Sequence, residues 1–146
     1  MYTHRYQNQK SSFRPRKPVR SFRDLEVYQK ALEGAVVVAK TFLPILEKVQ
    51  YPLRDDMVRT SLEIPRLIAE AHSARFESNL QGIALLEKAM ADCNKMVVYL
   101  EQARGIYPQD VDGTLCEDTI KKYTYNRTKI FRLQAAWRRW EAGKKN

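Results

Sequence analysis

Lys122, Tyr125, Lys129, Arg132, Ala136 and Arg139 follow one another at steps of three and four. On a helix those steps place all six on one face. Four cations and a tyrosine would then form a stripe roughly 25 Å long. A stripe of this kind can track the phosphates of a nucleic-acid backbone and release their counterions. Lys121, Arg138, Lys144 and Lys145 flank it and add support. Exposed helix faces usually mix signs, and this one contains no acid. The alternative is a plain solvated face. A second basic group lies near the N-terminus, where Arg14, Arg16, Lys17 and Arg20 are interleaved with Tyr2, Tyr6, Phe13 and Phe22. Cations mixed with aromatics suit phosphate contact and base stacking on flexible RNA.

Residues for covalent or metal chemistry are sparse. The two histidines are His4 and His72, and Cys93 and Cys116 stand alone. No Glu-x-x-His pair for a di-metal bundle, no zinc spacing and no glycine-rich phosphate loop occurs. No metal, cofactor or catalytic centre is expected. Arg66 and His72, with five residues between them, resemble the Arg-x4–6-His ribonuclease motif of higher eukaryote and prokaryote nucleotide-binding domains. That family usually has a polar residue after the arginine, where this chain has Leu67. A ribonuclease using Arg66 and His72 is the enzymatic alternative. Otherwise His72 is a helix-end residue and Arg66 a surface or subunit-contact cation. Trp137 and Trp140 read as core or interface anchors.

The elements that must position these residues are helical. With 5 glycines and 6 prolines in 146 residues, the chain has too few turn residues for an all-β fold. Hydrophobic residues at 44% can supply a core. No apolar run is long enough to span a membrane, and no secretory h-region is apparent. The two cysteines read as reduced thiols, so a cytoplasmic protein is expected. The net charge of +9 is unevenly spread. Residues 1–20 carry six basic residues and no acid, and residues 121–146 carry nine basic residues against Glu141. Residues 21–120 carry 11 basic and 16 acidic residues, so two basic ends flank an acidic middle. That asymmetry points to a polyanion partner.

Residues 1–20, with Pro15 and Pro18 and no apolar period, read as a disordered basic tail. Residues 21–142 read as a bundle of four helices, and 143–146 as a basic end. The first helix starts near Ser21, where Ser21 and Asp24 make a capping box. Its inward face is Leu25, Tyr28, Leu32, Val36, Ala39, Leu43 and Leu46, and Pro44 should kink or break it. The second helix opens near Pro52 or Leu53, with Asp55 and Asp56 at its positive end. It buries Leu53, Met57, Ile64, Ile68 and Ala71, and Pro65 predicts a kink. Ser78 and Gln81 cap the third, which buries Leu80, Ile83, Leu86, Met90, Cys93, Val97 and Leu100 and ends at Gly105. A loop or loose turn over 108–113 leads to the fourth, from about Thr114 to Glu141. Ile120, Tyr123, Ile130, Trp137 and Trp140 face inward there, interrupted by Arg127 and Gln134. The fold class is all-α, an up-down-up-down four-helix bundle.

Two stretches carry a family resemblance. Phe22-Arg-Asp-Leu-Glu-Val-Tyr-Gln-Lys-Ala-Leu32 resembles the first helix of bacterial four-helix bundle proteins encoded in ribosomal RNA intervening sequences. Ile64-Pro-Arg-Leu-Ile-Ala-Glu70 resembles their second-helix signature, Ile-Pro-x-x-Ile-Ala-Glu, which normally continues with Gly where this chain has Ala71. The stretch from Leu85 to Ile106 is similar to the third helix of a sister group, the accessory variability determinant proteins of diversity-generating retroelements. Ala71-His-Ser-Ala-Arg75 also looks like their second-helix end. The resemblance spans about residues 22–140. It implies a homopentamer of four-helix bundles with basic surfaces that bind nucleic acid (RNA, DNA or their hybrid) and a reverse transcriptase. It implies no enzymatic activity of the chain itself, only support for copying a template RNA. The intervening-sequence group, whose cellular role is unassigned, is the alternative.

Overall fold

The computed structural model describes residues 19–144. Among the described residues there are four long helical segments and no strand. The first comprises a 3-10 turn (Phe22–Asp24), α1 (Glu26–Val37), a π-helical turn (Val38–Phe42) and α2 (Leu43–Val49). The others are α3 (Arg54–Ala74), α4 (Asn79–Ile106) and α5 (Gly113–Lys144). The tail expected over residues 1–20 falls mostly outside the described residues.

The Ser21–Asp24 box forms, and it caps the 3-10 turn rather than the α-helix. Ser21 Oγ accepts from the Arg23 N–H at 3.1 Å, and the Asp24 carboxylate accepts from the Arg20 and Ser21 N–H groups at 2.9 and 3.2 Å. Pro44 does not break the helix. It stands in the first turn of α2, where a missing N–H costs least, and the π turn directly before it absorbs the change of register. The segment ends at Gln50, which takes the left-handed conformation at φ 59°.

The inward face of α1 differs from the one the spacing predicts. Along this first segment the expected Leu25 and Leu46 are buried, but between them Val27, Ala31, Ala35, Val38 and Phe42 fill the inner face, whereas Leu32 and Val36 are 43% and 45% exposed. Both sets satisfy helical spacing, so periodicity alone could not choose between them. Ala31 and Ala35 form a narrow ridge that lets neighbouring helices close in, and the bulkier pair is turned outward.

α3 buries Met57, Ser61, Ile64, Leu67, Ile68 and Ala71 and runs unbroken past Pro65, while Leu53 is partly exposed at its N-terminus. α4 is capped by one half of the expected Ser78–Gln81 box: Ser78 Oγ accepts from the Gln81 N–H at 3.2 Å, but the Ser78 N–H donates to the Ala74 carbonyl at 2.9 Å and not to Gln81. Ile83, Leu86, Met90, Cys93 and Leu100 are buried there and Val97 is half-buried, but Leu80 is exposed. Gly82 lets α4 approach the end of α3 closely. A Cβ there would lie 2.9 Å from Arg75 Cβ and 3.0 Å from the Ala71 carbonyl oxygen. Gly105 lies inside the last turn, and the helix ends one residue later at Ile106.

α5 begins at Gly113 because Asp112 caps it. Its carboxylate accepts from the Thr114 and Leu115 N–H groups at 2.9 and 3.2 Å. The helix buries Cys116, Thr119, Tyr123, Asn126, Ile130, Gln134 and Trp137. Gln134 belongs to this face instead of interrupting it, since its amide donates to the Ile83 carbonyl at 3.0 Å and to Glu87 at 2.8 Å. Ile120 is only half-buried, and Trp140, expected inside, is 53% exposed. It stands one position off the buried run that continues from Ile130 through Gln134 and Trp137.

α1 packs on α3 and α5, and α4 packs on the same two helices. Asn79 donates to the Trp137 carbonyl at 2.9 Å, Gln134 pairs with Ile83, and Cys116 Sγ donates to the Leu100 carbonyl at 3.2 Å. Residue numbers thus rise along α4 as they fall along α5. Asn126 donates to the Val27 carbonyl at 3.1 Å, tying α5 to α1. Each fully buried Leu or Ile in the shared core contributes about 1.5–3 kcal/mol.

Candidate nucleic-acid interface

Helix α5 positions the stripe because its opposite face is buried, which forces the cations outward. Lys121, Lys122, Tyr125, Arg132, Ala136, Arg138 and Arg139 are exposed, and Lys129 is half-buried. Lys129 Nζ lies 5.4 Å from the centre of the Tyr125 ring, and Lys144 Nζ lies 5.2 Å from that of Trp140. Both aromatics hold a cation at the surface. After Asp118 the next acid along α5 is Glu141. Among the described residues no ion pair involves any cation from Lys121 to Lys144. Two acids on this helix are engaged elsewhere: Glu117 pairs with Arg104 at 2.6 Å, and Glu141 accepts from Asn79 at 3.2 Å. Arg20 is exposed at the start of the described chain, where its N–H is held by Asp24. Arg14, Arg16, Lys17 and Lys145 lie outside the described residues.

The structure does not bring the Arg66–His72 pair together. Six positions on a helix separate two residues by about 120° around the axis. Arg66 is exposed and clamped, with its guanidinium donating to Glu63 at 2.6 Å and to Glu70 at 3.0 Å. The Arg66 hydrogen bond holds the Glu63 carboxyl below its usual range. His72 is buried, edge-on to Phe76 with ring centres 5.3 Å apart. Burial, and then the nearby Arg75 charge, push its imidazole down and favour the neutral form. The thiols of Cys93 and Cys116 are free and buried. Burial pushes the Cys93 thiol up to about 12, which suits a core residue and not a nucleophile. Among the described residues no His, Cys, Asp and Glu cluster could hold a metal. Among the described residues no helix is long and apolar enough to cross a membrane.

The tryptophans divide. Trp137 is buried beneath the Arg75 guanidinium, 4.7 Å from its ring centre, while Trp140 is at the surface.

Sequence reasoning missed a cavity of about 490 Å³ between α1 and α5, which opens at the start of the stripe. Lys122 and Tyr125 belong to both the stripe and the cavity wall. Tyr123 and Asn126 also line it, and Tyr123 Oη and Asn126 Oδ1 are buried without a hydrogen-bond partner. Burial pushes the Tyr123 phenol well above its usual range, so it stays protonated and able to donate. A Cβ on Gly34 would sit 2.9 Å from Tyr123 Oη. The one available signal was Gly34 itself, because glycine in a helix interior costs about 0.5–1 kcal/mol relative to alanine.

No family model matches the chain, and neither a curated protein nor a solved structure is significantly similar to it.

Proposed function

We propose that the chain is a non-enzymatic nucleic-acid-binding protein that assists a reverse transcriptase of a diversity-generating retroelement by holding its template RNA. The observation that carries the binding half is the acid-free outer face of α5, whose cations have no ion-pair partner among the described residues. Unpaired cations spaced along about 25 Å match a phosphate backbone and gain affinity by releasing its counterions. The retroelement half rests on the resemblance carried by Phe22–Leu32, Ile64–Glu70 and Leu85–Ile106. In this reading the helices form an up-down-up-down bundle, which the opposed pairings of α4 with α5 support. The bundles assemble as a homopentamer, and the outward Leu32 and Val36 supply apolar surface for that contact. The site of action is the cytoplasm.

The test is anisotropy of a labelled single-stranded RNA across a salt series. Wild type is compared with a variant carrying Lys122→Gln, Lys129→Gln, Arg132→Gln and Arg139→Gln. Four phosphate contacts to a single strand give a log–log slope of about −3. Loss of most of that slope in the variant supports the stripe, and identical titrations overturn it. Co-purification of a reverse transcriptase separates the retroelement reading from the intervening-sequence one. Deleting residues 1–20 tests the tail, whose contribution is refuted by unchanged affinity.

A further inference from the structure

We infer that the cavity between α1 and α5 receives one base of the single-stranded RNA whose phosphates run along the α5 stripe. This rests on the RNA-binding function proposed above and adds to it a pocket that distinguishes a base from bare sugar-phosphate. Three observations carry it.

The first is continuity. Lys122 and Tyr125 line the cavity and also begin the stripe, so a strand tracking the stripe passes its mouth. The second is the chemistry of the wall. Tyr123 Oη and Asn126 Oδ1 are buried oxygens with no partner, although Asn126 spends its amide N–H on the Val27 carbonyl. A buried polar group left unsatisfied costs about 1–3 kcal/mol. A base that enters as these two side chains turn toward the cavity would find a donor in the phenol and an acceptor in the amide oxygen. An unstacked base presents both acceptors and donors on its edges to a protein. The third is charge and size. Lys30, Lys121 and Lys122 border the cavity against Glu33 and Asp118, with Glu33 already 3.6 Å from Lys30. The mouth is thus positive on the stripe side, where the attached phosphate would lie. At about 490 Å³ the cavity is large enough for a planar heterocycle, and Gly34 makes room for the Tyr123 hydroxyl at its border.

The experiment uses the full chain and two probes of equal length, an oligoadenylate and the corresponding base-free ribose-phosphate strand. Wild type should bind the oligoadenylate about tenfold more tightly, within the range for capture of one base. Tyr123→Phe should bring the two probes to within about twofold while keeping the salt slope. It should not lower the melting temperature, because it removes an unsatisfied buried hydroxyl. Equal binding of both probes by wild type, with a steep salt slope, overturns the pocket and leaves the stripe standing. A Tyr123→Phe protein that keeps the base preference also overturns it. Failure of wild type to bind either probe overturns the RNA-binding function and the pocket together.

Discussion

On the outer face of α3, Arg59 lies 3.8 Å from Asp56, and Arg66 is held between Glu63 at 2.6 Å and Glu70 at 3.0 Å. On the outer face of α5, the run from Lys121 to Arg139 holds no acid. Both helices bury a comparable inner stripe, so the contrast is confined to their solvent sides. The α3 face neutralises itself through pairs at three and four residues, which stabilise the helix slightly and leave little field beyond it. The α5 face keeps its field and forgoes that stabilisation. A helix can carry such repulsion only when its other face is well buried, as that of α5 is along Tyr123, Ile130 and Trp137. The two faces therefore differ in how their charges are paired, and not in charge content alone.

The anchoring can be broken directly. Trp137→Ala should destabilise the protein by about 3–5 kcal/mol. Trp140→Ala, three positions on but exposed, should stay within about 0.5 kcal/mol. Chemical denaturation of the two variants checks the pair, and similar losses would mean the two faces of α5 are not distinct. Next in size is the contrast between helices. The fourfold α5 variant should lose RNA affinity on the order of 100-fold at moderate salt. Arg59→Gln with Arg66→Gln on α3 should leave it within about twofold, because those charges are already paired. Equal losses would indicate that net charge, and not the unpaired stripe, drives binding.

A subtler variant installs the α3 pattern on α5. Ala136→Glu places an acid four residues after Arg132 and three before Arg139. It should stabilise the helix by about 0.2–0.5 kcal/mol per pair. It should also flatten the salt slope by about 0.7 for each phosphate contact it displaces. Higher thermal stability together with weaker RNA binding is the expected signature. The smallest effect belongs to Arg66→Gln alone, which should leave the melting temperature and RNA binding unchanged, since exposed ion pairs contribute little. RNA cleavage lost in that variant would instead revive the Arg66–His72 alternative.

Much of the helical frame was legible from residue types. The Ser21 and Ser78 caps, the α4 face from Ile83 to Leu100 and the outward α5 stripe follow from spacing and capping chemistry. The inner face of α1 did not, because Leu32 and Val36 compete with Ala31 and Ala35 for the same period. Trp140 and Gln134 exchanged their expected places for a related reason. A polar residue enters a helix interface when a partner waits there, and the Ile83 carbonyl and Glu87 stand on another helix. The Asp112 cap was hidden in a segment that looked like loop.

The amino-acid sequence by itself determined an all-helical chain, the cationic run along its last helix and the absence of acids within that run. Those properties depend on neighbours within one or two helical turns, which a linear pattern records. The tertiary structure alone decided which face of the first helix turns inward. It likewise decided that His72 is buried, and that Tyr123 meets Gly34 beside a cavity that Asn126 also lines. Those outcomes depend on packing between helices distant in the chain, as where Asn126 meets Val27 and Tyr123 meets Gly34, and close packing selects among faces that local periodicity leaves equivalent.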